Sequence, residues 1–158
     1  MGEKINKIVI VSLYEKFSNE IASLLSQDLG MLFCSTKDML EYEIIDKKAV
    51  AEKCSVAYLK KLEKKVIKQI ASFENICVSI SYELLSSNFD LFKGNSAVVF
   101  IDLPKKFIKL NDTPSYISFK ERQDKLNEIS TCAIKVRKID NNVIKEKIIK
   151  ALGGVLWI

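Results

Sequence analysis

The stretch KIVIVSLYEKFSNEIASLLSQDLG, residues 7–30, decides the fold of this chain. It begins with Lys7 to Val11, a β-branched run without an amphipathic period, which is typical of a strand buried on both faces of a parallel sheet. Ser18 to Leu29 then carries apolar residues at helical spacing, with Gly30 in the position of a C-cap. A buried strand that leads into a helix is the building unit of an α/β domain.

The alternation of strands and helices continues along the rest of the chain. Short apolar runs predict four further strands, at Met31 to Cys34, Ile76 to Ile80, Ala97 to Ile101 and Cys132 to Val136. The best-marked helices between and after them are predicted at Thr36 to Ile45, Ser55 to Phe73 and Ile139 to Leu152. Leu110 to Ser118, which contains Pro114, is interpreted as a mobile loop. This order predicts a three-layer α/β/α fold with a five-stranded parallel sheet.

Length and composition fit one domain. The chain has 158 residues, 48% of them hydrophobic, which suffices for a continuous core. We expect this domain to cover residues 1–152 and an apolar tail, GGVLWI, to occupy residues 153–158 and either pack back or dock on a partner. No apolar run approaches the roughly 18 residues that span a bilayer, and the N-terminus leads into a strand. A cytoplasmic protein without a membrane partner is therefore expected.

Several kinds of site are excluded by residue types that are missing. The sequence has no histidine, so the commonest general base is absent. The net charge is +5, and almost all of the basic residues are lysines. Proteins that recognise nucleic acids rely on bidentate hydrogen bonds from arginine, so we expect no nucleic-acid partner. The cysteines are widely spaced and are interpreted as free buried thiols, with no metal site. They are Cys34, Cys54, Cys77 and Cys132.

The turn after the first strand is where a βα unit of this kind normally binds an anion. Residues 12–19, SLYEKFSN, have the length of a phosphate-binding P-loop, G-x-x-x-x-G-K-[ST]. The places of the first glycine, the second glycine, the lysine and the hydroxyl are taken by Ser12, Phe17, Ser18 and Asn19. A Cβ where a glycine wraps phosphate costs about 1–2 kcal/mol. The motif is therefore degenerate, and nearby Lys16 either replaces part of its charge or faces solvent.

Motifs further along the chain resemble those of shikimate kinases, which are P-loop kinases of a small molecule. Residues 33–41, FCSTKDMLE, are similar to the family's D-x-D-x-x-[IL]-E pattern, with Lys37 at the second aspartate. Residues 59–63, LKKLE, are similar to F-R-x-x-E, with Lys60 in place of arginine and Glu63 retained. The resemblance runs from about residue 7 to residue 152 and implies the topology of a shikimate kinase-like P-loop kinase.

Later segments extend the resemblance, and they also lack residues that the family motifs contain. Residues 98–104, VVFIDLP, are similar to the family's V-V-x-L-x-x-P segment, and residues 122–130, RQDKLNEIS, to R-x-x-x-Y-x-E-x-A. Arg122 falls on a position that binds the acceptor carboxylate in working members. The glycine triplet after the third strand is replaced by residues 78–82, VSISY. The resemblance thus implies an anion or acceptor pocket at Lys37, Lys60, Glu63 and Arg122, without catalytic residues.

Three functions are compatible with these residues. The first is a catalytically inactive member that acts as a binding or regulatory module for a small anionic ligand or a protein partner, with no cofactor. The second is an atypical kinase that uses Mg-ATP, with Lys16 or Lys37 supplying charge, and phosphorylates a hydroxyl of a small carboxylate such as shikimate. The third is an interaction module that works through residues 153–158. Oligomeric state is left open.

Individual pocket residues also have a structural alternative. Arg122 either anchors an anion or forms a surface ion pair with a neighbour on its own helix, namely Glu121, Asp124 or Glu128. Lys60 and Glu63 either line a pocket or form an exposed helical pair. Lys37 in the place of an aspartate would repel magnesium.

Overall fold

A five-stranded sheet lies between two layers of helices in the computed structural model, which describes residues 6–43, 52–53, 55–94, 96–104 and 116–153. The strands are β1 (Lys7–Val11), β2 (Leu32–Ser35), β3 (Ile76–Ile80), β4 (Ala97–Asp102) and β5 (Cys132–Lys135). The main helices of these ranges are α1 (Glu15–Leu29), α2 (Thr36–Glu43), α3 (Val56–Ser72), α4 (Tyr82–Phe92), α5 (Tyr116–Ile129) and α6 (Asn141–Leu152).

The sheet is parallel throughout, with the strand order β2-β3-β1-β4-β5. β1 is central, so that Val9 is paired with Val78 on one side and with Val98 on the other. Every residue of β1 and β3 is buried. The predicted three-layer fold with a five-stranded parallel sheet is confirmed.

Two apolar cores explain why β1 lacks an amphipathic period. Ile8 and Ile10 belong to the core beneath α1 and α6, whereas Val9 and Val11 belong to the core beneath α3 and α4. Each fully buried aliphatic side chain contributes on the order of 1.5–3 kcal/mol. A strand covered on both faces is therefore apolar at most positions and does not show the alternating pattern of a half-exposed strand.

Helix ends follow local signals. Gly30 ends α1 in the left-handed region, at φ +66°, as predicted. The side chains of Ser55 and Ser81 accept the backbone N–H groups of Tyr58 and Leu84, and thereby begin α3 and α4. α6 begins at Asn141 rather than at the predicted Ile139, because Asp140 is its N-cap and accepts the N–H groups of residues 142 and 143.

The start of α1 differs most from the prediction. The helix begins at Glu15, three residues before the predicted Ser18. Phe17 lies four residues before Ile21 and eight before Leu25, and all three side chains are buried on one face of the helix. The apolar period therefore extends across the predicted turn. A carboxylate in the first turn, at Glu15, also suits the positive end of the helix dipole.

Other predictions fall at or beyond the limits of the described residues. Of the predicted loop Leu110 to Ser118, residues 116–118 belong to α5, because that helix begins at Tyr116; residues 110–115 lie outside the described ranges, as do Cys54 and tail residues 154–158. Cys34 and Cys77 are buried free thiols as predicted, and Cys132 is half-buried. Among the described helices, none combines the length and apolar character needed to cross a bilayer.

Lys7 is a buried polar residue at the amino end of β1. Its side chain is 3% exposed, and its ammonium donates a hydrogen bond to the carbonyl of Ala71 near the end of α3. Because the last carbonyls of a helix carry partial negative charge, a cation is favourable there. Burial lowers the pKa of Lys7, while the Glu74 carboxylate opposes that shift.

Candidate functional site

A cleft of about 350 Å³ opens at the carboxyl edge of the sheet, where the turns after parallel strands meet. We name it the edge cleft. The turn after β1 and the first residues of α1 form one wall of this cleft. The remainder is formed by one side chain of α2, the start of α4 and one arginine from the middle of α5. Its lining residues are Ser12, Leu13, Tyr14, Glu15, Lys16, Lys37, Ser81, Tyr82, Glu83 and Arg122.

The turn between β1 and α1 is short and bonded to itself. Only residues 12–14 separate the strand from the helix. The Ser12 hydroxyl donates to the Tyr14 carbonyl at 2.7 Å and accepts the Tyr14 N–H at 3.2 Å. It also lies 2.6 Å from the Ser18 hydroxyl. Since the single proton of Ser12 goes to Tyr14, Ser18 is the donor in that contact.

The other predicted P-loop positions are buried or hydrogen-bonded within the fold. Phe17 is 4% exposed and packs in the core beneath α1, and Ser18 is fully buried. Asn19 accepts a hydrogen bond from the Ser79 hydroxyl on β3 through its side-chain oxygen. Of the five residues singled out in the predicted loop, Ser12 and Lys16 line the edge cleft, whereas Phe17, Ser18 and Asn19 do not. In a P-loop the backbone N–H groups of a glycine-rich loop surround phosphate, whereas residues 15–19 of the aligned stretch here belong to α1.

Arg122 lies in the edge cleft but is already paired. Its Nη1 is 2.7 Å from Oε1 of Glu83, the second residue of α4, and its guanidinium lies 5.0 Å from the centre of the Tyr82 ring. The expected partners on its own helix do not hold it; Asp124 instead pairs with Lys120 at 3.2 Å. The arginine side chain is 27% exposed and has five N–H donors, so it retains donors for an anion.

Two lysines give the edge cleft charge that is not neutralised within the described residues. Lys16 extends from the first turn of α1 and Lys37 from α2, and both are exposed. Neither forms an ion pair with any residue that the structure describes. The N-termini of α1 and α4 also open here and add partial positive charge. The arrangement therefore favours a small anion, although Glu15 and Glu83 restrict its size and charge.

The four predicted pocket residues are divided between two places. Lys37 and Arg122 lie together in the edge cleft, whereas Lys60 and Glu63 lie on α3 and are not among the cleft's lining residues. Sequence reasoning missed Tyr82 and Glu83 as contacts of Arg122. Their position directly after β3 is the available signal, because residues that follow a buried parallel strand lie at the carboxyl edge of the sheet.

Thiols and metals add no chemistry in the described part of the chain. Burial raises the pKa of Cys77 to about 12, and burial together with the Asp38 charge raises that of Cys34 to about 11. Burial also raises the pKa of Cys132. Such thiols are poor nucleophiles because the thiolate is scarcely populated near neutral pH. Among the described residues, no cluster of potential ligands could hold a metal ion.

The strand order, the helical layers and the edge cleft together define the fold of P-loop kinases of small molecules. In particular, the chain has the fold of shikimate kinase. It matches the shikimate kinase of Aquifex aeolicus with a TM-score of 0.71, 20% identity and coverage of 94% of this chain and 96% of that one. The expected topology is thus confirmed at the level of fold.

Two further solved structures support the same conclusion. The shikimate kinase of Acinetobacter baumannii in complex with shikimate matches with a TM-score of 0.70 and 14% identity, over 95% of this chain and 94% of that one. A gluconokinase from Sinorhizobium meliloti matches with a TM-score of 0.63 and 15% identity, over 96% and 94%. No family model and no curated protein matches the sequence. The similarity therefore establishes fold.

Proposed function

We propose that this protein is a catalytically inactive relative of shikimate kinase that binds a small anion in the edge cleft and acts as a binding or regulatory module. The observation that carries the proposal is the start of α1 at Glu15. Because the helix occupies the place of the phosphate-wrapping loop, its backbone N–H groups from Ser18 onward are committed to helical hydrogen bonds. An ATP phosphate chain then has no loop around it.

Charge losses support the same proposal. The place of the P-loop lysine is taken by Ser18, which is buried and bonded to Ser12. Lys37, in the place of a family aspartate, repels the magnesium that phosphoryl transfer requires. Each ~1.4 kcal/mol of lost transition-state stabilisation lowers a rate about tenfold. The loss of loop, lysine and magnesium site together accounts for an inactive protein.

The edge cleft suits a compact anion. Its volume of about 350 Å³ is at the lower end of small-molecule sites. Lys16 and Lys37 offer two ammonium groups, and Arg122 offers a guanidinium whose remaining donors are held in place by Glu83 and the Tyr82 ring. A small di- or tricarboxylate, or a phosphate-bearing carboxylate, matches this set of donors.

The proposal is tested by unfolding midpoints of the purified protein alone and with Mg-ATP, Mg-ADP, shikimate, inorganic phosphate, succinate or citrate. A ligand at a hundred times its Kd adds about 2.7 kcal/mol, which shifts a domain of this size by several degrees. We expect a shift with at least one small anion and none with either nucleotide. Lys16→Gln with Lys37→Gln should abolish that shift, whereas the matched exposed pair Lys64→Gln with Lys68→Gln on α3 should preserve it.

An atypical kinase is the competing function, and Lys16 and Lys37 in the edge cleft are the observation that favours it. It requires nucleotide binding. If calorimetric titration with Mg-ATP shows no binding, the kinase hypothesis is rejected. If the protein transfers the γ-phosphate to shikimate or another hydroxy acid, the proposal of a catalytically inactive module is rejected.

A further inference from the structure

A second concave surface lies at the outer edge of the sheet, separate from the edge cleft. It encloses about 560 Å³ and is formed by the end of β5, the turn that follows and the first two turns of α6, all within residues 135–147. We name it the β5 groove. β5 is the last strand in the sheet order, and among the described strands only β4 pairs with it. The groove is thus open along one side of the sheet.

The floor of the β5 groove is apolar. Val136 and Ile144 are 4% and 2% exposed and belong to the core beneath α1 and α6. Val143 stands beside them at 48% exposed, and Ile139, in the preceding turn, is 39% exposed. Apolar surface in a concave site gains about 25 cal/mol for each Å² removed from water. A ligand with one or two apolar side chains would gain from covering this floor.

The rim of the β5 groove is basic. Its four cationic side chains are all exposed and form no ion pair within the described residues: Lys135, Arg137, Lys138 and Lys147. The single acidic lining residue is Asp140, whose carboxylate already accepts the N–H groups of Asn142 at 3.1 Å and Val143 at 3.2 Å. The carboxylate is thus committed to capping α6.

Another lysine of α6 shows the contrast. Lys145 points toward α1 and pairs with Asp28 at 2.9 Å, and its side chain is only 14% exposed. The cation on the α1 side of α6 is therefore neutralised within the fold, whereas those on the groove side are not. An excess of unneutralised positive charge around an apolar floor is complementary to an acidic, partly apolar partner.

We propose that the β5 groove binds an acidic peptide segment of a partner protein, with its carboxylates on the rim lysines and an apolar side chain against Val136 and Val143. A polynucleotide fits less well. Nucleic-acid sites combine arginine forks with stacking aromatic rings, whereas the groove contributes Arg137 alone and no aromatic lining residue. A flat lipid surface would not reach the concave floor. This inference does not depend on the anion site of the edge cleft.

The test uses a fluorescein-labelled octapeptide that alternates glutamate with valine, and measures its anisotropy with the full chain near physiological salt. We expect saturable binding that weakens as salt increases, because salt screens exposed charges. Lys138→Glu with Lys147→Glu should lower the affinity by roughly tenfold or more. The matched control is the exposed pair Lys64→Glu with Lys68→Glu on α3, which changes net charge equally and should leave the affinity within about twofold.

A separate experiment tests the contribution of the apolar contacts to peptide binding. A peptide with serine in place of valine should bind about tenfold more weakly, and so should the original peptide to Val143→Ser, which alters an exposed residue, adds no charge and leaves the core intact. The proposal is overturned by the absence of saturable binding, by equal losses in the α3 control, or by equal affinity for the serine peptide. Tighter binding of an oligonucleotide of the same charge would make this a polyanion surface and would also overturn it.

Discussion

The hydroxyls of Ser12 and Ser18 lie 2.6 Å apart, at the two positions that the sequence predicts for the first glycine and the lysine of a P-loop. The contact joins the end of β1 to the first turn of α1 and leaves no room for a phosphate between them. Both serines are buried, at 2% and 0% exposed. The two serines thus stabilise the turn between β1 and α1.

A lysine at position 18, where the aligned P-loop motif has one, should destabilise the fold. Ser18→Lys places an ammonium at a fully buried position, so we expect a loss of at least about 3 kcal/mol in the free energy of unfolding. Denaturant titration measures it. Gln27→Lys, at an exposed position of the same helix, is the matched control and should change stability by less than about 0.5 kcal/mol. A folded Ser18→Lys variant that binds Mg-ATP would contradict the account of the turn.

The pair Arg122 and Glu83 should affect anion binding more than stability. Because Glu83 is 62% exposed, either substitution should cost less than about 1 kcal/mol of unfolding free energy. For an anion that binds in the edge cleft, Arg122→Gln should weaken binding by about tenfold, and Glu83→Gln should strengthen it several-fold by removing a like charge. Calorimetry with citrate and with inorganic phosphate measures both. Lys120→Gln is the control on α5. Equal anion affinities for all three variants would mean that Arg122 forms a surface ion pair and does not contribute to anion binding.

Lys7 should make stability depend on alkaline pH. Burial lowers its pKa in the folded state below the value of 10.5 expected for the unfolded chain. The unfolded state therefore binds more protons between those two pKa values, and the free energy of unfolding should rise with pH in the window below 10.5. Other groups titrate there too, so the quantity to measure is the difference from Lys7→Met. A difference that stays constant from neutral pH to about pH 10 would contradict the lowered pKa.

The buried thiols should resist alkylation in the native protein. Burial raises the pKa of Cys77 to about 12 and is the larger cause of the rise to about 11 at Cys34, so their thiolates are scarce at pH 8 as well as shielded. Treatment with iodoacetamide followed by peptide mass spectrometry should leave both unmodified until denaturant is added. Modification of Cys77 at the rate of a free thiol in folded protein would show that β3 opens locally.

The sequence predicts the layers of the fold because each kind of element has a local pattern. A buried parallel strand is a continuous apolar run, and an amphipathic helix has apolar residues at helical spacing. Lys7 to Val11 and the cap at Gly30 are examples, and both are found where predicted. The predicted start of α1, at Ser18, follows from the length of a P-loop motif. The i, i+4 spacing of Phe17 and Ile21 instead indicates a helix that already includes Phe17, as observed. Local periodicity was the better guide to where the turn ends.

The contents of the edge cleft were less predictable, for a different reason. The partner of Arg122 is 39 residues away, at Glu83, and no periodicity links the two. Such a pair exists only once the fold has brought the start of α4 beside the middle of α5. By contrast, the resemblance to shikimate kinases implies a pocket position for Lys37, and Lys37 lines the edge cleft. Residues near strand ends can be inferred from sequence, whereas their mutual contacts require the fold.

The burial of Phe17 bears on how far the turn after β1 can be altered without unfolding the protein. A glycine at that position would remove about 3–5 kcal/mol of packing and add roughly 1 kcal/mol of helix-breaking cost, out of a total stability of about 5–15 kcal/mol. A protein at the lower end of that range of stability would unfold, and one at the upper end would lose about a third of its stability. A glycine-rich loop engineered at this turn would therefore need compensating substitutions in the core beneath α1.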